Sequence, residues 1–178
     1  MCLTRIACFL SLLCLAGCDR LPESYPPPEQ RQPVAGFNPE GDPNAMMVAM
    51  DNVDADQLIV KDIYPGSGIP WRWTKQEPTV KVLLLASEKM KFSADFAIWD
   101  GGFKVTGPLE ISFLVNGKLL DKVRYTTPGN KHFEKPVPPE WLDGDTHAAL
   151  ALSVDKLYIA QVDKAQFGVI LTRIGLKP

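Results

Sequence analysis

The sequence predicts an all-β domain, an antiparallel jelly-roll-type β-sandwich of about eight strands, placed after a disordered tether. Three observations carry this. From about Met46 onward, apolar runs are broken by turn residues at intervals of ten or so positions. Several of those runs alternate with a period of two, which sorts side chains onto opposite faces of a strand. No segment shows the 3.6-residue period and caps of a long amphipathic helix.

In chain order, Met1–Arg5 carries one positive charge and Ile6–Leu15 is an apolar stretch of about ten residues. Ten or so apolar residues suit a signal-peptide h-region and are too few to cross a bilayer. Residues 19–45 hold seven of the chain's 16 prolines and have no apolar period. Such a segment cannot bury enough surface to fold, so it reads as a partly polyproline-II spacer reaching on the order of 80 Å when extended. Pro26-Pro27-Pro28 within it is the one short stretch with the form of a recognition motif. The expected organisation is 1–17 signal peptide, 18–45 tether and 46–178 folded domain.

Within the domain, Met46–Ala55 has no assignable pattern, and Gln57–Ile63 reads as the first strand. Trp71–Thr74 is a short extended piece bounded by Pro70. Thr79–Ala86 is almost continuously apolar, as in a strand covered on both faces. Lys91–Trp99 alternates, with Phe92, Ala94, Phe96 and Ile98 on one face and Ser93, Asp95, Ala97 and Trp99 on the other. Leu109–Val115 alternates again and runs into Asn116-Gly117, a dipeptide suited to the positive φ angles of a type I′ hairpin turn. Lys118–Tyr125 is the return strand, followed by strands at Thr146–Val154 and Phe167–Leu176.

Composition narrows the function classes. The net charge is -2, from 19 basic and 21 acidic residues. That balance offers no basic face for nucleic acid, so no nucleic-acid partner is expected. All four cysteines, Cys2, Cys8, Cys14 and Cys18, lie at the N-terminus. A chain cut before Cys18 keeps one cysteine and cannot form an internal disulfide. No Cys/His spacing suits zinc, and neither a metal nor a cofactor is expected.

Leu15-Ala16-Gly17-Cys18 resembles the bacterial lipobox at all four positions. The resemblance implies lipid attachment at Cys18, removal of the preceding peptide and anchoring on the extracytoplasmic face of a cell membrane. Several acyl chains, at about 0.8 kcal/mol per buried methylene, make such an anchor stable. Asp19 resembles the enterobacterial signal for retention in the inner membrane, for a cell that has two. A second resemblance rests on Gly68-Ile69-Pro70-Trp71-Arg72-Trp73-Thr74, Leu114-Val115-Asn116-Gly117 and the stretch from Asp163 to Gly168-Val169-Ile170-Leu171. These look like the accessory β-sandwich found beside some bacterial glycosyltransferases, which is similar to galactose-binding-like, carbohydrate-binding jelly rolls. Lys164 stands where those sandwiches often carry arginine.

Candidate sites follow from chemistry. His132 and His147 lie in no metal spacing and beside no serine motif. Asp143 and Asp145 form a carboxylate pair, but in a Leu-Asp-Gly-Asp-Thr turn where aspartate is expected for its backbone chemistry. Asp100-Gly101-Gly102 likewise reads as a turn. No catalytic residue is assigned, and an enzyme is not expected. Sugar recognition needs exposed rings with polar neighbours. Trp71 and Trp73 share a face and read as core packing, while Arg72 points the other way and could pair with Asp163. Trp141 reads as an end plug. Trp99, with Asp95 on the same face and Arg72, makes up the expected ligand-binding set. The expected function is a membrane-anchored, non-catalytic module whose partner is a glycan or an envelope protein, in surface-polysaccharide assembly. The alternative is an assembly lipoprotein docking a protein complex through a sheet edge or apolar patch.

Overall fold

A computed structural model describes residues 46–52, 54–66, 68–85 and 89–178. The signal segment, Cys18, Asp19 and the tether lie outside these residues. The described chain runs β1 (Met47–Ala49), α1 (Ala55–Leu58), β2 (Ile59–Ile63), β3 (Arg72–Leu83), β4 (Lys91–Ile98), α2 (Asp100–Thr106), β5 (Leu109–Val115) and β6 (Lys118–Tyr125). It continues through β7 (Gly129–Pro136), a 3₁₀ turn at Pro139–Trp141, β8 (His147–Val154), β9 (Tyr158–Ile159), β10 (Gln166–Phe167) and β11 (Ile170–Lys177).

The 12-residue β3 belongs to two sheets in succession. Its start pairs with β11 through Arg72 and Trp73, and its end pairs with β8 from Thr79 to Leu83. Sequence alone reads these as two pieces, Trp71–Thr74 and Thr79–Ala86. They join because Pro78, which cannot donate to a ladder, falls where the strand leaves one sheet and has not yet entered the other. Counting β3 as two segments, the eight principal strands are ordered 1-8-3-6 in one sheet and 2-7-4-5 in the other. All pairings are antiparallel. This is the paired Greek-key order of a jelly roll, and the domain is an all-β sandwich. β1 extends the first sheet along β11, and β2 extends the second along β3.

The two sheets meet through the residues the alternation assigns inward. Phe92, Ala94, Phe96 and Ile98 of β4 and Leu109, Ile111, Phe113 and Val115 of β5 are all buried. Phe113 reaches across to Phe92 at 5.8 Å between ring centroids and stacks on Phe133 of β7 at 3.5 Å. Truncating a fully enclosed phenylalanine of this kind costs about 3–5 kcal/mol. The β5–β6 turn has Asn116 at φ 48° and Gly117 at φ 76°, the geometry expected of this dipeptide.

Three elements differ from expectation. The start of Gln57–Ile63 belongs to α1, where the Gln57 side chain donates to Asp54 at 3.0 Å. Asp100-Gly101-Gly102 opens a seven-residue helix rather than a simple turn. β7 is absent from the sequence reading because it is an edge strand with a single buried side chain, Phe133, between charged neighbours.

Candidate functional site

One end of the sandwich carries an aromatic surface. Its foundation is the alternation of β3: Arg72 and Thr74 are buried, whereas Trp71 is 39% exposed and Trp73 is half-buried. Trp71 stands edge-on to Trp73 at 6.3 Å, and Trp73 stands edge-on to Trp99 at 5.8 Å. Trp99 is 41% exposed and lies edge-on to Tyr158 of β9 at 5.1 Å. Phe167 of β10 meets Trp73 at 5.0 Å and stacks on Tyr64 at 5.4 Å. Edge-to-face pairs of this kind are favourable because the positive rim of one ring meets the negative face of the next.

The platform is held by its supports. The Thr74 hydroxyl donates to the Val169 carbonyl at 3.0 Å and accepts the Val169 N–H, also at 3.0 Å. The Gly168 N–H donates to the Thr74 carbonyl at 2.7 Å. These bonds tie the segment after β10 to β3 and so fix Phe167 beneath Trp73. The Tyr64 hydroxyl donates to the Gln166 carbonyl at 3.0 Å, and Lys75 lies over the Tyr64 ring at 5.3 Å. Trp99 closes β4 and precedes α2, its carbonyl accepting the Phe103 N–H at 2.9 Å. Its indole lies across the first turn of α2. A Cβ on Gly101 would fall 2.4 Å from the Trp99 ring, so only glycine permits this seat. The cleft beside Trp99 encloses about 10 Å³, room for about one water. A ligand would therefore meet the exposed ring surfaces rather than enter a cavity.

Trp99, Asp95 and Arg72 occupy three different places. Asp95 lies on the outer face of β4, where its carboxylate is 2.6 Å from His132 Nδ1. Trp99, past the end of the same strand, turns to the aromatic cluster instead. Arg72 is 2% exposed; its Nε donates to the Met50 carbonyl at 3.1 Å and its Nη1 pairs with Asp56. Asp163, the partner expected for Arg72, accepts the Ala165 N–H within its own turn at 3.0 Å. Arg72 is a structural residue that ties β3 to the chain around β1 and α1.

Trp71 and Trp73, expected in the core, form the platform with Trp99. The missed signal was the company they keep: Tyr158 and Phe167 flank a polar turn, a pattern with no core purpose in the linear sequence. Trp141 packs against the core end, and its carbonyl accepts from Asn116 Nδ2 at 2.9 Å. The same amide reaches Asp145 at 3.4 Å, while His147 Nδ1 is 2.9 Å from the Thr146 hydroxyl. No group of three or more His, Cys, Asp or Glu side chains is arranged to hold a metal ion among the described residues.

No protein-family model matches the chain, and no curated protein matches it. Among solved structures, it is similar to the CBM36-1 domain of a multidomain xylanase from the hindgut metagenome of Trinervitermes trinervoides. There the identity is 10% and the TM-score 0.42, over 74% of this chain and 95% of that one. It is also similar to a family 35 carbohydrate binding module from an environmental isolate, at 13% identity and TM-score 0.39, covering 74% and 96% of the two chains. A third likeness is to the 4-O-methyl-α-glucuronidase BtGH115A, at 13% identity and TM-score 0.37, over 60% of this chain. That match spans only 14% of the enzyme's own length.

Proposed function

We propose that this chain is a non-catalytic glycan-binding module, anchored to a bacterial envelope membrane through lipid on Cys18 and serving surface-polysaccharide assembly. The observation that carries the binding role is the pair of exposed indoles, Trp71 and Trp99, standing on either side of Trp73. Two large rings exposed to about two-fifths of their area, on rigid supports, suit stacking on the apolar faces of sugar rings. The lipobox and the proline-rich spacer support placing that surface away from the membrane plane, and Asp19 favours the inner membrane where there are two.

Affinity electrophoresis through envelope polysaccharide and a glycan array test the reading. The native protein should be retarded. Trp99→Ala should weaken binding by about 2- to 10-fold, the loss of one aromatic contact of about 0.5–1.5 kcal/mol. No glycan hit, or a Trp99→Ala protein that binds like the native one, refutes it.

A second reading has its own support. Val105 of α2 and Ile159 of β9, 73% and 54% exposed, put aliphatic area on the two elements that flank Trp99, which a protein partner would cover. Docking by strand addition on β6 or β7 is disfavoured, because these edge strands carry Lys118, Lys122, Arg124, Lys131, Glu134 and Lys135. Co-purification with an envelope complex after mild crosslinking, undiminished by added saccharide, would favour this second reading.

A further inference from the structure

A chemically different site lies on the outer face of the sheet formed by β1, β11, β4 and β7. Cross-strand register sets Ala49, Arg173, Asp95 and His132 in one row, and Met47, Gly175, Ser93 and Glu134 in the next. These rows border an open cavity of about 210 Å³ whose lining includes Met47, Ser93, Asp95, His132, Arg173 and Lys177. Pockets for drug-sized ligands start near 300 Å³, so this one suits a group of about one sugar ring or less. It has no aromatic wall, so recognition here would be polar.

Its carboxylates are already engaged. Glu134 pairs with Lys177 at 2.5 Å and with Lys91 at 3.3 Å. The hydrogen bond from Lys177, with those from Lys91 and His132, holds the Glu134 carboxyl down to about 2. Asp95 is taken by His132. The His132 ring lies between two acceptors, with Nδ1 2.6 Å from Asp95 and Nε2 3.4 Å from Glu134. Ionised carboxylates only accept, and a neutral imidazole has one N–H. Both contacts are hydrogen bonds only in the imidazolium form.

Arg173 contrasts with all of these. It is exposed, and among the described residues it makes no ion pair and no side-chain hydrogen bond, although Asp95 is its direct cross-strand neighbour. Around the cavity the cations Lys91, Lys177 and Arg173 outnumber Asp95 and Glu134 by one. A planar guanidinium with unused donors is the side chain best matched to a two-oxygen acceptor.

We infer that this cavity binds an oxyanion, carboxylate or phosphate, carried on a ligand of sugar size or smaller, with Arg173 making the forked contact and Ser93 and the free oxygen of Asp95 meeting hydroxyl groups. The site is separate from the indole platform and does not depend on it. Charged groups facing His132 are Asp95 and Lys91 from β4, Glu134 from β7, and Arg173 and Lys177 from β11; β1 contributes none.

The test is a ligand-observed NMR titration of the full chain in micelles of a non-glycosidic detergent, using glucuronate, glucose 6-phosphate and glucose. Glucuronate, glucose 6-phosphate or both should bind, and glucose should not. Binding by only one of the two identifies the oxyanion as carboxylate or phosphate. Arg173→Gln should weaken binding at least about tenfold, and Arg173→Lys, which keeps the charge but loses the fork, by less. Binding that survives in Trp99→Ala separates this site from the platform. Equal binding of glucose, absence of binding by both anions, or undiminished affinity in Arg173→Gln overturns the inference.

Discussion

Gly101→Ala perturbs the indole platform without removing any of its rings. A Cβ at this position would lie 2.4 Å from Trp99 Cζ2, 2.7 Å from Cε2 and 2.8 Å from Cη2. Carbon atoms settle about 3.5–4.0 Å apart, so the indole must lift by about 1 Å or more. Being 41% exposed, it can swing toward solvent rather than force the backbone to move. It would give up its edge contacts with Trp73 and Tyr158, together worth about 1–3 kcal/mol. Alanine is better than glycine inside α2 by up to about 1 kcal/mol, which offsets part of that loss. The net destabilisation is then about 0–3 kcal/mol, a fall in Tm of no more than about 12 °C. The platform geometry should suffer much more than the fold. Near-ultraviolet circular dichroism, which reports coupled indoles, should change shape, and glycan retardation should weaken about as far as in Trp99→Ala. A Gly101→Ala protein whose near-ultraviolet spectrum superimposes on the native one would refute the placement of Trp99 over α2.

Other perturbations read out different parts of the molecule. Asp56→Ala should cost about 2–3 kcal/mol in chemical denaturation: it strips the counter-charge from buried Arg72, but Asp56 is 59% exposed and water can enter there. Arg72→Met should cost less, about 1–2 kcal/mol, since the charge leaves with the side chain, the Met50 carbonyl loses its donor and Asp56, 59% exposed, exchanges its partner for water; the reverse ranking would show that Arg72 is not held by Asp56. Glu134 has a folded-state value depressed to about 2, so its contribution to stability is complete above the ordinary carboxylate value of 4.5 and is lost as the pH falls through about 2. Glu134→Gln should accordingly flatten that part of the acid limb in a Tm-versus-pH series, and an unchanged limb would count against the Lys177–Glu134–Lys91 arrangement. Radiolabelled palmitate should enter the native protein and not Cys18→Ser; labelling that persists in the variant would remove the proposed anchor.

Local pattern and tertiary context divide the determinants of this protein cleanly. Period-two alternation is enough to place β4 and β5, because each has one face turned to the core and its residues record which face that is. Asn116-Gly117 determines its turn because positive φ is a property of the dipeptide itself. β7 escapes such reading because an edge strand with one buried phenylalanine has almost no alternation to show.

The candidate site depends on contacts that no local pattern records. Arg72 finds its carboxylate 16 residues upstream, after a fold that brings α1 against β3. Thr74 clamps Val169 across 95 residues, and only that closure sets Phe167 under Trp73 and brings Tyr158 beside Trp99. Strand alternation correctly sets Trp71 and Trp73 on one face opposite Arg72. Which of those faces is the core depends on what the other sheet and the β9–β10 hairpin cover. The sequence by itself thus determines β4 and β5, their inward faces and the hairpin turn, since these follow from residue-by-residue solvation and backbone preference. Tertiary structure alone decides that three tryptophans meet at one end, and that Arg173, without an ion-pair partner among the described residues, stands beside a carboxylate turned toward a histidine.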